Sequence, residues 1–153
     1  MNKLKFTKKT IKRASLIAFS ISLIGFFFLV KKHLIISYNP FAITIQICAV
    51  IIMIWARITF GMRSFHANAN STKGELVTNG PYKLFRHPIY ASIIYFFLAC
   101  IIAFPKIETI IGVFLIVSST YVRMILEEIS LRETYKEYNL YSQKAKRIIP
   151  FLF

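Results

Sequence analysis

The chain has 153 residues, 56% of them hydrophobic, and a formal net charge of +14. Soluble domains carry ~45–50% apolar residues, and here the excess collects in a few long runs with basic flanks, which excludes an ordinary soluble fold. So basic a balance suits nucleic acid or an anionic membrane surface, and the bilayer-length runs decide for the membrane. The length suits one domain over residues 1–153.

Four stretches read as transmembrane helices, at about 14–30, 41–60, 89–104 and 107–126, each near the ~20 apolar residues that a ~30 Å hydrocarbon core requires. The first lies between Lys12-Arg13 and Lys31-Lys32, with no small-x-small cleavage pattern, and reads as an uncleaved helix rather than a signal peptide. The second opens after Asn39-Pro40. The third is stopped by Pro105, which leaves almost no loop before the fourth, so these two form a tight antiparallel hairpin. The expected class is therefore all-α: a multi-pass membrane bundle of about four helices with a cytoplasmic C-terminal helix. Cys48 and Cys100 sit inside apolar runs and read as buried thiols. No metal-ligand cluster is visible.

With the N-terminus inside, 17 of the 20 Lys and Arg residues fall on the cytoplasmic side and only Lys31, Lys32 and Lys106 outside, as the positive-inside rule requires. Both termini are expected in the cytoplasm, in a bacterial inner membrane. The basic N-terminal tail (Lys3, Lys5, Lys8, Lys9, Lys12, Arg13) suits anionic lipid. The two long polar segments, a loop over 61–88 and a tail over 127–153, share that side, so any active site is built there.

The loop ends in Asn79-Gly80-Pro81, a turn signal, and then Arg86-His87-Pro88, a helix boundary. His87 is expected at the mouth of the third span, beside free backbone N–H groups. Taken alone, Arg86, His87, Tyr82 and Tyr90 also read as ordinary interfacial residues. The tail opens with Arg123, Glu127 and Glu128. All six acidic residues of the chain are glutamates, and Arg123 and Glu127, four apart, share a helix face. Arg123 lies in the last turns of a span, where a charge is costly unless it snorkels or pairs. Leu131, Tyr135, Tyr138, Ala145 and Ile149 recur at roughly helical spacing and suggest a helix against the membrane or the bundle.

Leu76-Val77, Gly80-Pro81-Tyr82, Arg86-His87-Pro88 and Tyr90 resemble the first motif of the integral-membrane methyltransferases. That family includes isoprenylcysteine carboxyl methyltransferases and phospholipid N-methyltransferases. Glu127-Glu128, Leu131, Tyr135, Tyr138, Tyr141, Arg147 and Pro150 resemble its second motif. The resemblance covers the second half of the chain, and the first two spans carry no comparable signature. It implies S-adenosylmethionine as cofactor, held by Tyr82, His87, Tyr90, Glu127 and Glu128, and a lipid-like or prenylated acceptor entering from the membrane. Ser92 stands where the family usually has glycine. Tyrosine faces suit a sulfonium cation and glutamates suit the cofactor's hydroxyls or amine. Arg123 is the candidate for steering an anionic acceptor, with Glu127 beside it in the catalytic set. A carboxylate acceptor needs no general base; an amine acceptor does, and a Glu or His87 would serve. The readings are a carboxyl O-methyltransferase first, a phospholipid N-methyltransferase second, and a non-catalytic membrane scaffold third.

Overall fold

The computed structural model describes residues 7–36, 38–61 and 75–149. Lys3, Lys5 and Pro150, and most of the first half of the loop after the second span, lie outside the described residues. Five α-helices follow one another: α1 (Lys8–Lys31), α2 (Pro40–Phe60), α3 (Pro88–Ala103), α4 (Ile107–Thr134) and α5 (Tyr138–Lys144), with a 3₁₀ turn over Gly80–Lys83. No strand occurs among the described residues, and the all-α class is as expected. Three helices, α1, α2 and α4, are long and apolar enough to cross a membrane. With α3 a shorter apolar helix beside them, the chain is an integral membrane protein.

Local chemistry sets most helix ends. Thr7 caps α1 by accepting a bond from the Thr10 N–H. Asn39 caps α2 through the N–H groups of Phe41 and Ala42, with Pro40 in the first turn, the position where a missing N–H costs nothing. At the far end of α1, the His33 N–H reaches the Val30 carbonyl and the Leu34 N–H the Leu29 carbonyl. This is the Schellman closure, and it places His33 at φ +56° while burying Leu34 against Leu29. Pro88 opens α3, and only Phe104, Pro105 and Lys106 separate α3 from α4.

Helices α1 and α4 continue beyond the expected spans, α1 from Lys8 and α4 to Thr134; the 28 residues of α4 span about 42 Å, so its last turns extend past a ~30 Å core. The tail is not one continuous helix. Tyr135 is extended (φ −114°, ψ 115°), Ala145 is extended again after α5, and the helically spaced residues from Leu131 to Ile149 are divided among α4, α5 and a terminal strap.

The main packing pairs are α1 with α4, α4 with α3, and α3 with α2. Alternating passes make all three antiparallel. Leu29, Leu34, Cys100, Val113 and Ile116 form the apolar core toward one end, while Ile11 and Leu126 form a second cluster at the polar end. Cys100 is buried, but Cys48 is exposed on α2, because its face of that helix has no protein neighbour. Gln46 of α2 donates to the Ile35 carbonyl at 3.0 Å and so ties the α1–α2 connection to the bundle.

Candidate functional site

The Gly80–Lys83 turn brings the loop onto the end of α2. Gly80 has φ +56°, and a Cβ there would lie 2.8 Å from Thr59 Oγ1, so glycine is needed for conformation and for room alike. The turn buries Pro81 and Tyr82, and the Tyr82 ring packs on Phe60 at 5.6 Å. Tyr141 of α5 closes it from the other side, its hydroxyl donating to the carbonyls of Tyr82 at 2.7 Å and Phe85 at 3.3 Å.

The terminal strap then runs beside residues 85–87. The Arg86 N–H donates to the Lys146 carbonyl at 2.6 Å and the His87 N–H to the Arg147 carbonyl at 3.2 Å, with Phe85 and Lys146 paired as an isolated parallel β-bridge. One step further, the Tyr95 hydroxyl donates to the Ile148 carbonyl. The strap thus connects the loop to α3.

Glu128 sits at the centre of this end. Its Oε1 lies 2.9 Å from Arg86 Nη1 and 3.3 Å from His87 Nε2, and Arg147 grips both oxygens at 3.2 Å. The residue is only 4% exposed. Burial alone would raise its pKa, but hydrogen bonds from His87 and Arg147 and the charges of His87 and Arg86 outweigh that and hold the carboxyl at about 2. The same bond keeps the Arg147 guanidinium above its ordinary value. Tyr138, 1% exposed beside this cluster, is pushed up to about 12, first by burial and then by the charge of Glu128. The Arg86 guanidinium, beside the Tyr138 hydroxyl, offsets part of that rise.

Glu127 points elsewhere, since adjacent helical residues diverge by about 100°. The Tyr90 hydroxyl lies within hydrogen-bonding reach of both Glu127 and Arg123, and the Arg123 guanidinium carbon lies 4.9 Å from the Phe19 ring centroid. Tyr90 also leans on the His87 ring, 5.7 Å away, which joins the two groups. Tyr82 is raised by burial and then by the Glu127 charge, so both tyrosines lie within the electrostatic reach of that carboxylate. Ser92 belongs to neither group: its Oγ donates to the Ile89 carbonyl and approaches Met53 Sδ at 3.7 Å, so this small residue serves the α2–α3 contact.

The structure therefore brings Tyr82, His87, Tyr90, Arg123, Glu127 and Glu128 together at one end of the bundle, as a buried ionic cluster on Glu128 and a more open group on Glu127. Sequence reading left Arg147 outside the expected site, although the second motif contains it, and it left out Phe19, which carries no signal at all.

Fold and site together define an all-helical integral membrane protein with a polar cluster, His87 against Glu128, at one end of the bundle. The sequence model of the phospholipid methyltransferase family matches residues 38–138, and the chain belongs to that family. The match begins before α2, earlier than the two motifs alone indicated, and leaves out α1 and the strap. No curated protein and no solved structure matches the chain.

Proposed function

We propose that the protein is an S-adenosylmethionine-dependent methyltransferase that acts on a lipid-like acceptor at the cytoplasmic membrane surface, resembling the isoprenylcysteine carboxyl type. The observation that carries this reading is the meeting of the two motifs: His87 lies 3.3 Å from Glu128 across 41 residues of sequence. A scaffold has no need of that convergence.

The residues present suit the cofactor. Glu127 is only partly buried and stands beside two tyrosines, so a carboxylate is available for an amine or hydroxyls and aromatic faces for a sulfonium. Bound there, S-adenosylmethionine supplies a methyl carbon already activated for displacement. The protein's part is alignment and exclusion of water. Tyr90 and Glu127 hold the cofactor side, His87 fixes the Tyr90 ring, and the Glu128 cluster keeps the loop and strap closed behind them. Arg123, one turn before Glu127 and nearer the lipid, meets the acceptor.

The family match favours a second reading, N-methylation of a phospholipid. An amine acceptor must lose a proton, and Glu127 is the better base because His87 Nε2 is engaged by Glu128. The two readings separate on product chemistry, since a methyl ester is cleaved by mild alkali and an N-methyl group is not. Both place the polar end in the cytoplasm, where exposed Lys8, Lys9, Lys12 and Arg13 meet anionic headgroups.

The test is calorimetric titration of S-adenosylmethionine into the detergent-purified protein and into Tyr90→Phe and Glu127→Gln. These variants spare the ionic cluster on Glu128. Binding by the parent, weakened roughly tenfold in each folded variant by loss of a charge-assisted hydrogen bond, is expected. A folded parent that binds nothing would leave the scaffold reading standing.

A further inference from the structure

Helix α1 lies outside the family match, yet its contact with α4 leads to the arginine of the site. The two helices meet at successive levels. A Cβ on Gly25 would lie 2.9 Å from the Gly112 carbonyl, Ser22 Oγ is 2.6 Å from Ser119 Oγ, and the Phe19 ring lies under the Arg123 guanidinium. Small residues at the first two levels let the helices approach closely, and the serine pair sets slide and rotation. Phe19 is therefore positioned by rigid helix packing and not by a loop.

An aromatic face offsets part of the cost of holding a cation at lipid depth without using any of its hydrogen-bond donors. A guanidinium has five such donors in one plane, and a ring stacked on its face takes none of them. A leucine at position 19 would fill the same space and do nothing for the charge. We propose that Phe19 is a specificity-determining positioning residue: it holds the Arg123 guanidinium at the lipid boundary, so that the protein selects acceptors whose head is an acidic group, carboxylate or phosphate, on a long apolar chain. This deepens the methyltransferase reading and rests on it for its catalytic meaning, but lipid selection is measurable without turnover.

The test is native mass spectrometry of the full chain in detergent with three probes: oleate, oleoyl lysophosphatidate and oleoyl lysophosphatidylcholine. The parent is expected to bind an acidic probe in preference to the zwitterionic one, and the acid favoured distinguishes carboxylate from phosphate. Arg123→Gln should reduce the preference to the background that the basic N-terminus contributes. Phe19→Leu should lower it roughly three- to thirtyfold, the size of one partly desolvated cation–π contact, and Phe19→Trp should restore it. Should Phe19→Leu fail to fold, Phe19→Met replaces it at similar volume. A preference untouched by loss of the ring, a parent no more selective than Arg123→Gln, or a tryptophan variant that does not recover would each overturn the proposal. A chain that keeps ring-dependent selection but binds no S-adenosylmethionine would lose the activity and keep the inference.

Discussion

At Glu128, one buried carboxylate receives Arg86, His87 and two nitrogens of Arg147, Nε and Nη2. Removing it leaves Arg86 and the Arg147 fork facing each other without a counter-charge in a poorly hydrated site, a loss of about 3–5 kcal/mol by analogy with broken buried pairs. Glu128→Ala is therefore expected to lower the thermal midpoint much more than Arg147→Ala, whose side chain is 27% exposed. The pH dependence has a defined sign. The Glu128 pKa falls from 4.5 to about 2 on folding, so its contribution, about 3 kcal/mol at 1.36 kcal/mol per unit, is fully present above pH ~4.5. It is lost as pH drops from there through about 2. Thermal unfolding in detergent should show the parent and Glu128→Gln far apart at pH 6 and closer at pH 3; a constant gap would contradict the assignment.

The α1–α4 pair is the element on which the site's lipid side depends. Gly25 and Gly112 face each other with no room for a methyl group at Gly25, because a backbone carbonyl and Ile116 Cγ1 both stand 2.9 Å from its would-be Cβ. A backbone atom cannot move aside as a side-chain tip can. Gly25→Ala is expected to cost about 1–3 kcal/mol by overpacking, and Gly25→Val more. Since Phe19 and Arg123 lie on the same two helices, both variants should also weaken acidic-lipid selection, while S-adenosylmethionine binding through Tyr90 and Glu127 changes less. Denaturant titration and native mass spectrometry on the same preparations check the two halves of this prediction.

Over the whole molecule, helices of unequal length meet one bilayer. The 16 residues of α3 reach only about 24 Å, while α4 extends well beyond the core. With α3 and α4 joined at one end by three residues, the difference in length appears wholly at the other end, where α4 carries Glu127 and Glu128 past the mouth of α3. The recess between them is where His87, the loop and the strap settle. The charge bias predicts that this end is cytoplasmic. A green fluorescent protein fused after Phe153 should fluoresce, and an alkaline phosphatase fused there should be inactive; the opposite pattern would invert the topology.

Membrane class, helix order and the two site-bearing segments were legible in the amino-acid sequence, because apolar runs of bilayer length, proline boundaries and basic flanks act locally. Asn39-Pro40 and Pro88 mark the starts of α2 and α3 without any tertiary help. The motif residues were legible as well, since Arg86-His87-Pro88-x-Tyr90 and Glu127-Glu128 each occupy a few consecutive positions. Tertiary structure alone decided how they divide. Whether Glu127 or Glu128 meets the cations depends on the rotation of α4, and whether Arg147 returns to that carboxylate depends on the break at Tyr135 that turns the tail back. Phe19 had no sequence signal, because an aromatic residue in an apolar span looks the same facing lipid or facing an arginine. Its position against Arg123 was set by the register of α1 on α4, which small residues at positions 22, 25, 112 and 119 determine only when the two helices are brought together.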